Sequence, residues 1–315
     1  MIRHHRNEFQ CQHNFFHAMS FQRLKDYERA VLPSQDEISA YEQKGWYVSP
    51  MIIPDELIES AKKGAYAMYR GEKNRDCPPI EGPANDTFDE TKVLMNNEYA
   101  CMQRSEIWDL VSMPVISAIA ARLARTHEIR LFADALMCKF PSKNVKEGVF
   151  GWHTDKAYWP SCSSNDMLTA WIPLQDVTID MGPMHVIENS QNWEMDEALK
   201  SYCAAGIKDL TALEMHLKQT NREYRNVPMT LKKGQLSFHN ANTFHGSSAN
   251  TTSIPRMTLT IHMQDASNVH VPAFNKNGDR ILIGYERLAK KDDLGNPDYR
   301  DPAWFPVLWS EANGG

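Results

Sequence analysis

From about residue 129 the chain consists of short apolar runs, and this pattern limits the possible folds more than any other feature. Gly, Pro, Asn and Ser residues separate the runs, as they do in turns between strands. Strands at such spacing are typical of a sandwich, a barrel or a jelly roll, and not of alternating β-α-β units. The runs lie at 129–140, 149–155, 168–174, 183–187, 227–231, 235–239, 243–248 and 256–263.

Helical patterns precede and interrupt these runs. Ser34 followed by Glu37 is a capping box that predicts the start of a helix, and Gly45 predicts its end. The charged segment 70–97 is rich in Pro and Asn, which favours a surface loop. Further helices are predicted at 54–69, 105–127, 193–204 and 210–218.

The whole pattern predicts a mainly β protein with α-helices, in which N-terminal helices pack around a β core. Residues 1–30 are polar without a clear period and are treated as an N-terminal arm, and 31–315 as a single domain. The aromatic tail is expected to pack on the core. The domain divides into a mostly helical part at 31–128, a β core at 129–265 with a helical insertion at 191–222, and a C-terminal extension at 266–315.

Composition excludes several classes of function. A net charge of -6 and a pI near 6.1, without a basic stripe, argue against a nucleic-acid partner. No apolar run approaches the roughly 20 residues that span a bilayer, and the first residues lack the apolar centre of a signal peptide. The 6 cysteines show no C-x-x-C spacing, which is typical of reduced thiols. We therefore expect a cytoplasmic monomer or homodimer.

A His and an Asp two positions apart, together with a distant second His, form a candidate metal site. His153 and Asp155 lie on an extended run, where alternate side chains share one face. With His245 they make the two-His-one-carboxylate set that holds non-haem Fe(II) and leaves positions open. His239 is the main alternative for the distal ligand, and His262 is a weaker one because no carboxylate lies two positions away.

Arg256 fits the second requirement of an oxygenase that uses an α-keto acid, a cation for the far carboxylate of that acid. The planar guanidinium binds a carboxylate through two hydrogen bonds. The polar segment 248–253 predicts a hairpin that places Arg256 beside the strand of His245. Ser247 lies two positions after His245, so its hydroxyl is expected on the same side and can share the carboxylate.

Five short motifs surround these residues: WHTDKAYWP at 152–160, LTAWIPLQDVT at 168–178, GPMHVI at 182–187, GQLSFH at 234–239 and HGS at 245–247. In combination they closely resemble the phytanoyl-CoA dioxygenase family, and the resemblance covers roughly residues 35–310. It implies a double-stranded β-helix, a cupin-like jelly roll, that binds Fe(II) and 2-oxoglutarate and uses O2 to oxidise a substrate.

The resemblance also implies roles for single residues. Asp155 stands where halogenating relatives carry a small residue, which argues against halogenation. The segment 187–191 (IENSQ) stands where many members carry a Pro-Gly-Ser-His turn, so the loop beside the pocket is expected to differ. The implied set is His153, Asp155 and His245 as metal ligands, with Arg256, Ser247 and Trp171 around 2-oxoglutarate.

Substrate contacts are expected from loops over the mouth of the core, and a solvated or core position is an equal alternative for several of them. No basic patch is present to bind the phosphates of coenzyme A, so a CoA thioester is not expected. A small free molecule, derived from an amino acid or from secondary metabolism, is favoured. The candidate contacts are Lys139, Phe150, Lys156, Tyr158 and Trp159.

The implied reaction hydroxylates, or otherwise oxidises, an unactivated C–H bond and releases succinate and CO2. Desaturation, ring closure or epimerisation can follow from the same hydrogen abstraction. One alternative is a cupin-like metal enzyme, an isomerase or substrate dioxygenase, that uses the same ligands without a keto acid and does not need Arg256. Another is a jelly-roll binding protein without activity, for which Asp155 would be dispensable.

Overall fold

The computed structural model describes residues 23–75, 89, 92–202 and 209–314, so most of the predicted arm lies outside the described residues. The helices are α1 (Asp26–Arg29), α2 (Gln35–Lys44), α3 (Asp55–Tyr69), α4 (Ser105–Val111), α5 (Pro114–Leu123), α6 (Glu197–Ser201), α7 (Thr211–Gln219) and α8 (Glu311–Gly314). The first strands are β1 (Trp46–Val48), β2 (Leu94–Glu98), β3 (Glu128–Lys139), β4 (Phe150–His153), β5 (Leu168–Pro173) and β6 (Met184–Ile187). The remaining strands are β7 (Asn226–Pro228), β8 (Ser237–Asn240), β9 (His245–Ser247), β10 (Arg256–Asp265), β11 (Ala273–Phe274), β12 (Arg280–Ile281) and β13 (Val307–Ser310).

Two antiparallel sheets form the core. The larger sheet has the order β1-β8-β5-β10-β3-β13, with β2 also paired to β3, and the smaller sheet has the order β4-β9-β6-β7. Between β3 and β10 the chain passes repeatedly from one sheet to the other, which is the connectivity of a double-stranded β-helix. The predicted fold class is therefore confirmed, and β3 to β10 correspond to the eight predicted apolar runs.

The N-terminal helices cover the outer face of the larger sheet. Ile58 of α3, Ile107 of α4 and Ile119 of α5 belong to one buried cluster with Leu136 of β3 and Leu259 of β10. Because strand side chains alternate, the residues between these apolar positions point to the other sheet instead. The two faces of β3 and β10 therefore serve different purposes, packing on one side and the interior of the jelly roll on the other.

Local signals fix the first helices where the sequence predicts them. The Ser34 hydroxyl accepts a hydrogen bond from the Glu37 N–H, and the Glu37 carboxylate accepts one from the Ser34 N–H, so the predicted capping box forms. Gly45 ends α2 with a φ of 80°, a conformation that glycine adopts without steric cost. The chain then enters β1 directly, which pairs with β8 at the edge of the larger sheet.

Two predictions of local structure are wrong in part. The loop predicted over 70–97 contains β2, whose polar sequence LMNNE hides a strand that pairs with β3; residues 76–88, 90 and 91 lie outside the described residues. The insertion helix predicted from 193 begins later, at Glu197, because the Asp196 side chain caps it by accepting from the Leu199 N–H. Residues 203–208 are not described.

The C-terminal extension packs on the core, as its aromatic content predicts. Phe305 is buried against Phe132 of β3, with stacked rings 5.9 Å apart, and β13 adds to the edge of β3. Across the described ranges no helix is long and apolar enough to cross a membrane.

Candidate metal centre

Pairing between two short strands of the smaller sheet brings the predicted metal ligands together. His153 at the end of β4 lies opposite His245 at the start of β9. Asp155 follows two residues later, at the start of a 3-10 turn. One ligand atom from each of the three side chains lies within 4.8 Å of the others, and all three side chains are buried. The geometry is that of a compact site for one metal ion.

Backbone carbonyls fix the orientation of both imidazoles. The Nδ1 atom of His153 lies 2.9 Å from the carbonyl oxygen of Gly151, and the Nδ1 atom of His245 lies 3.0 Å from that of Thr243. A carbonyl oxygen only accepts, so Nδ1 carries the proton in each ring and Nε2 keeps its lone pair. This is the tautomer that a metal ligand needs, held by the type of outer contact that metal-binding histidines commonly show.

The Asp155 carboxylate divides its two oxygens between the protein and the site. Its Oδ2 accepts from the Thr169 hydroxyl at 2.5 Å and lies 3.2 Å from Nε2 of His239. Its Oδ1 lies 3.5 Å from Nε2 of His245. Thr169 and His239 therefore hold Oδ2, while Oδ1 faces His245. His239, the predicted alternative ligand, lies on β8 and contacts the carboxylate on its held side.

Electrostatics favour a neutral His153 and an ionised Asp155 at this site. Burial, together with the neighbouring His245, lowers the pKa of His153 to about 3. Burial alone would raise the pKa of Asp155, but His245 and His239 hold it well below its usual range. Burial also lowers the pKa of His245, yet Asp155 outweighs burial and leaves that pKa raised. The carboxylate therefore attracts positive charge to the point where the ligand atoms converge.

Arg256 lies in the same cavity, buried and without an opposite charge. Its guanidinium is stacked over the Trp171 ring, with Cζ 5.6 Å from the ring centroid, and Nη1 lies 3.4 Å from the Thr258 hydroxyl. The Nε atom is buried without a hydrogen-bond partner, and no carboxylate of the described residues forms an ion pair with this arginine. Burial lowers the pKa of Arg256 to about 10, so the group stays cationic at neutral pH.

Ser247 lines the cavity beside Arg256, and Lys139 stands behind it. The Lys139 Nζ atom donates to the Ser247 hydroxyl at 2.7 Å and to the Ser248 carbonyl at 2.6 Å. Burial and the charge of Arg256 lower the pKa of Lys139 well below its usual range. Lys139, predicted as a substrate contact, is thus fully buried beside the arginine and does not line the cavity.

Aromatic side chains form part of the remaining wall. Phe150, Tyr158 and Trp159 line the cavity as predicted substrate contacts would, and the cavity has a volume of about 390 Å³. Lys156 lies outside it, because its ammonium donates to the carbonyl oxygens of Cys162 and Ser164.

Sequence reasoning missed the part of the wall that the C-terminal extension provides. Leu282, Ile283 and Arg287 line the cavity, near the 3-10 turn Gly284–Arg287. They lie far beyond the motifs, in a segment with no strong periodic pattern, and the only sequence signal was the apolar and aromatic content of the tail. The segment 187–191 has a different role: the Ser190 hydroxyl accepts from the N–H of Phe244 at 2.8 Å and steadies the strand that begins at His245.

The fold and the buried His-Asp-His group define this protein as a jelly-roll oxygenase of the non-haem iron class. Residues 41–258 match the sequence profile of the phytanoyl-CoA dioxygenase (PhyH) family, and the chain belongs to that family. The resemblance seen in the sequence is thereby confirmed, as is the prediction that the protein is an Fe(II)/2-oxoglutarate-dependent oxygenase. A comparison with curated protein sequences finds no match.

Solved structures with similar folds include non-heme alpha-ketoglutarate-dependent enzymes. The carbocyclase SnoK from nogalamycin biosynthesis is 21% identical with a TM-score of 0.60, over 80% of this chain and 94% of that one. The epimerase SnoN, in complex with Fe3+, alpha ketoglutarate and nogalamycin RO, is 19% identical with a TM-score of 0.62, over 87% and 98%. EctD from S. alaskensis, with 2-oxoglutarate and 5-hydroxyectoine, is 19% identical with a TM-score of 0.61, over 83% and 86%.

Proposed function

We propose that this protein is an Fe(II)- and 2-oxoglutarate-dependent dioxygenase that hydroxylates, or otherwise oxidises, an unactivated C–H bond of a small molecule. The observation that carries the proposal is the pairing of two features in one cavity. A buried cation without an opposite charge, Arg256, faces the same space as the converging ligand atoms of His153, Asp155 and His245. A divalent metal satisfies the second feature and a dicarboxylate satisfies the first.

The donor set fits the metal. Two imidazole nitrogens and one carboxylate oxygen are the ligands that non-haem Fe(II) oxygenases use, because three further positions stay open for cosubstrate and O2. His153 and His245 would each contribute Nε2, and Asp155 would contribute Oδ1, the oxygen that Thr169 does not hold.

The anchor fits the cosubstrate. The Arg256 fork would bind the far carboxylate of 2-oxoglutarate, the Ser247 hydroxyl would share it, and Trp171 would form the wall on which the arginine rests. When bound, Fe(II) and 2-oxoglutarate supply the oxidising chemistry: O2 is reduced, 2-oxoglutarate becomes succinate and CO2, and one C–H bond of the substrate is oxidised. The chain contributes ligand orientation, the anchor and a wall of aromatic rings that excludes water.

The substrate is proposed to be a compact free molecule, either derived from an amino acid or an intermediate of secondary metabolism. The cavity of about 390 Å³ has to hold cosubstrate and substrate together, and its wall combines aromatic and aliphatic side chains with polar ones such as Asn96 and Glu98. The similar SnoN and EctD structures contain nogalamycin RO and 5-hydroxyectoine respectively, and both compounds are free small molecules. The free, buried thiols of Cys101, Cys138 and Cys162 support a cytoplasmic location.

An anaerobic titration tests the proposal. Apoprotein receives Fe(II) and then 2-oxoglutarate, and visible absorption is recorded; a metal-to-ligand charge-transfer band that requires both additions is expected. The band should be lost in His153→Ala and in Arg256→Met. It should persist in two controls, His185→Ala, whose ring bonds to Asn226 at the edge of the smaller sheet, and Arg225→Met, whose side chain is exposed.

Fe(II) binding without a band on addition of 2-oxoglutarate would contradict the keto-acid site and favour the cupin-like enzyme without a keto acid. If the band forms, succinate release is then used to screen candidate substrates.

A further inference from the structure

Two buried basic side chains stand side by side at the Arg256 end of the cavity. Lys139 of β3 and Arg256 of β10 are direct partners in the antiparallel pairing, and both are at most 1% exposed. Among the described residues no carboxylate forms an ion pair with either of them. Burying the charged guanidinium of Arg256 without a counter-ion is costly, and an anion bound next to it offsets that cost.

The contacts of Lys139 determine what the Ser247 hydroxyl can do. The Lys139 Nζ atom donates to the Ser247 oxygen at 2.7 Å, so the proton of the Ser247 hydroxyl remains for another acceptor. No acceptor in the described part of the chain takes that proton. Ser247 lines the cavity next to Arg256, whereas Lys139 does not. The free O–H is therefore available to an anion in the cavity.

We propose that Lys139 is a positioning residue of the cosubstrate site. It holds the Ser247 hydroxyl as a hydrogen-bond donor toward the far carboxylate of the keto acid. The inference rests on the proposed function, since the anion is the far carboxylate of 2-oxoglutarate.

The backbone around Ser248 is built to hold the lysine in place. The Ser248 carbonyl accepts from Lys139 at 2.6 Å. Gly182, with a φ of 61°, approaches this carbonyl so closely that a Cβ would lie 2.3 Å from the oxygen. The strand end that carries Ser247 is therefore fixed between Lys139 and the turn at Gly182.

Lys156 provides a matched control. Its ammonium also donates to two backbone carbonyls, those of Cys162 and Ser164, but it lies outside the cavity and does not contact Ser247. Both Lys139→Met and Lys156→Met lose lysine–carbonyl hydrogen bonds, so a purely structural effect of that loss is expected in both variants. An effect on the anion site is expected in Lys139→Met alone.

The experiment compares two keto acids in the anaerobic charge-transfer titration. One is 2-oxoglutarate, and the other is 2-oxopentanoate, which has the same length and no far carboxylate. Lys139→Met is expected to raise the Kd for 2-oxoglutarate about tenfold, because the hydrogen bond that directs the Ser247 hydroxyl toward the far carboxylate is lost. Its Kd for 2-oxopentanoate should change little, and Lys156→Met should bind both acids like the wild type.

Equal weakening of both acids, or no weakening of either, would overturn the role of Lys139. Absence of a band in the wild type would instead overturn the proposed function, so the two failures are distinguishable. If Lys139→Met does not fold, Lys139→Gln tests the same point by keeping a donor without the charge. A Ser247→Ala background completes the design: if Lys139 acts through the hydroxyl, Lys139→Met should have a smaller effect there than in the wild type.

Discussion

The two ends of the cavity are built on opposite principles. At the metal end the three ligands have partners within the chain: backbone carbonyls hold His153 and His245, and Thr169 and His239 hold Asp155, with only the Nδ1 atom of His239 buried without a partner among these described groups. At the anchor end the charged guanidinium of Arg256 keeps a buried nitrogen without a partner, and a second basic side chain, Lys139, stands beside it.

The difference indicates that the protein orients the metal end before a ligand binds, whereas the anchor end lacks a counter-charge until an anion binds. The metal ligands are oriented before any metal arrives, so binding there needs little rearrangement. The anchor carries an unbalanced positive charge that only a bound anion relieves. Removal of a group should therefore have different consequences at the two ends: loss of binding alone at the metal end, and loss of binding with a gain in stability at the anchor end.

The largest effect is expected from Asp155→Ala. This substitution removes the only carboxylate of the ligand set, so it should abolish Fe(II) retention and turnover, beyond the roughly 100-fold loss that a supporting residue causes. Iron content after anaerobic loading and succinate release are the measurements, with circular dichroism to show that the fold is retained. Iron bound at wild-type stoichiometry would remove Asp155 from the ligand set.

Arg256→Met should have the next largest effect, and of a different kind. The Kd for 2-oxoglutarate is expected to rise about 100-fold, since a buried charged contact is lost, while Fe(II) affinity stays unchanged. Thermal unfolding of the apoprotein should occur at a higher Tm, because an unpaired buried charge is replaced by an apolar side chain of similar length. A lower apo Tm together with unchanged 2-oxoglutarate binding would show that the two ends do not differ as described. Arg225→Met is the exposed control.

The sequence predicts the fold and the metal end well because both depend on short, regular patterns. His153 and Asp155 share a strand end, and their spacing is visible in two residues of sequence. The pairing of His153 with His245 joins strands about ninety residues apart, so the sequence motifs indicate it but local spacing does not determine it. The predicted hairpin between His245 and Arg256 is wrong: β9 and β10 belong to different sheets and do not pair, and the segment between them crosses from the smaller sheet to the larger one, where Arg256 pairs with Lys139 of β3.

The rest depends on contacts that no local pattern reveals. The role of Thr169 and His239 behind Asp155 arises from pairing between β5 and β8, a contact between residues far apart in sequence. Lys139 looks like an edge charge in sequence, yet pairing with Arg256 buries it. The wall formed by Leu282 and Ile283 comes from a segment without periodicity, which tertiary packing alone places over the cavity.

Thr169→Val should have a moderate effect at the metal end. The change keeps the shape of the side chain and removes the hydroxyl that donates to Asp155 Oδ2, so Fe(II) affinity is expected to fall about tenfold. Thr260→Val is the matched control, because the Thr260 hydroxyl bonds to the Ala135 carbonyl and not to Asp155. Competition with a chelator measures both affinities. Equal losses in the two variants would mean that the effect is one of packing and not of carboxylate orientation.

Asp134→Asn should have the smallest effect on the site. It tests how a buried carboxyl that belongs to neither the metal ligands nor the anchor affects stability. Asp134 accepts from the Cys101 N–H, and burial raises its pKa to about 6. The unfolded carboxyl loses its proton near pH 4 while the folded one keeps it until about pH 6, so this residue makes the protein less stable as pH rises across that window. The total is about 3 kcal/mol for two pKa units, and Asp134→Asn should remove it. Urea unfolding of both proteins from pH 4 to pH 7 measures the difference, and parallel curves would contradict the raised pKa. Binding of 2-oxoglutarate should be unchanged because Asp134, although it lines the cavity, bonds to the Cys101 N–H and is not part of the anchor formed by Arg256 and Ser247.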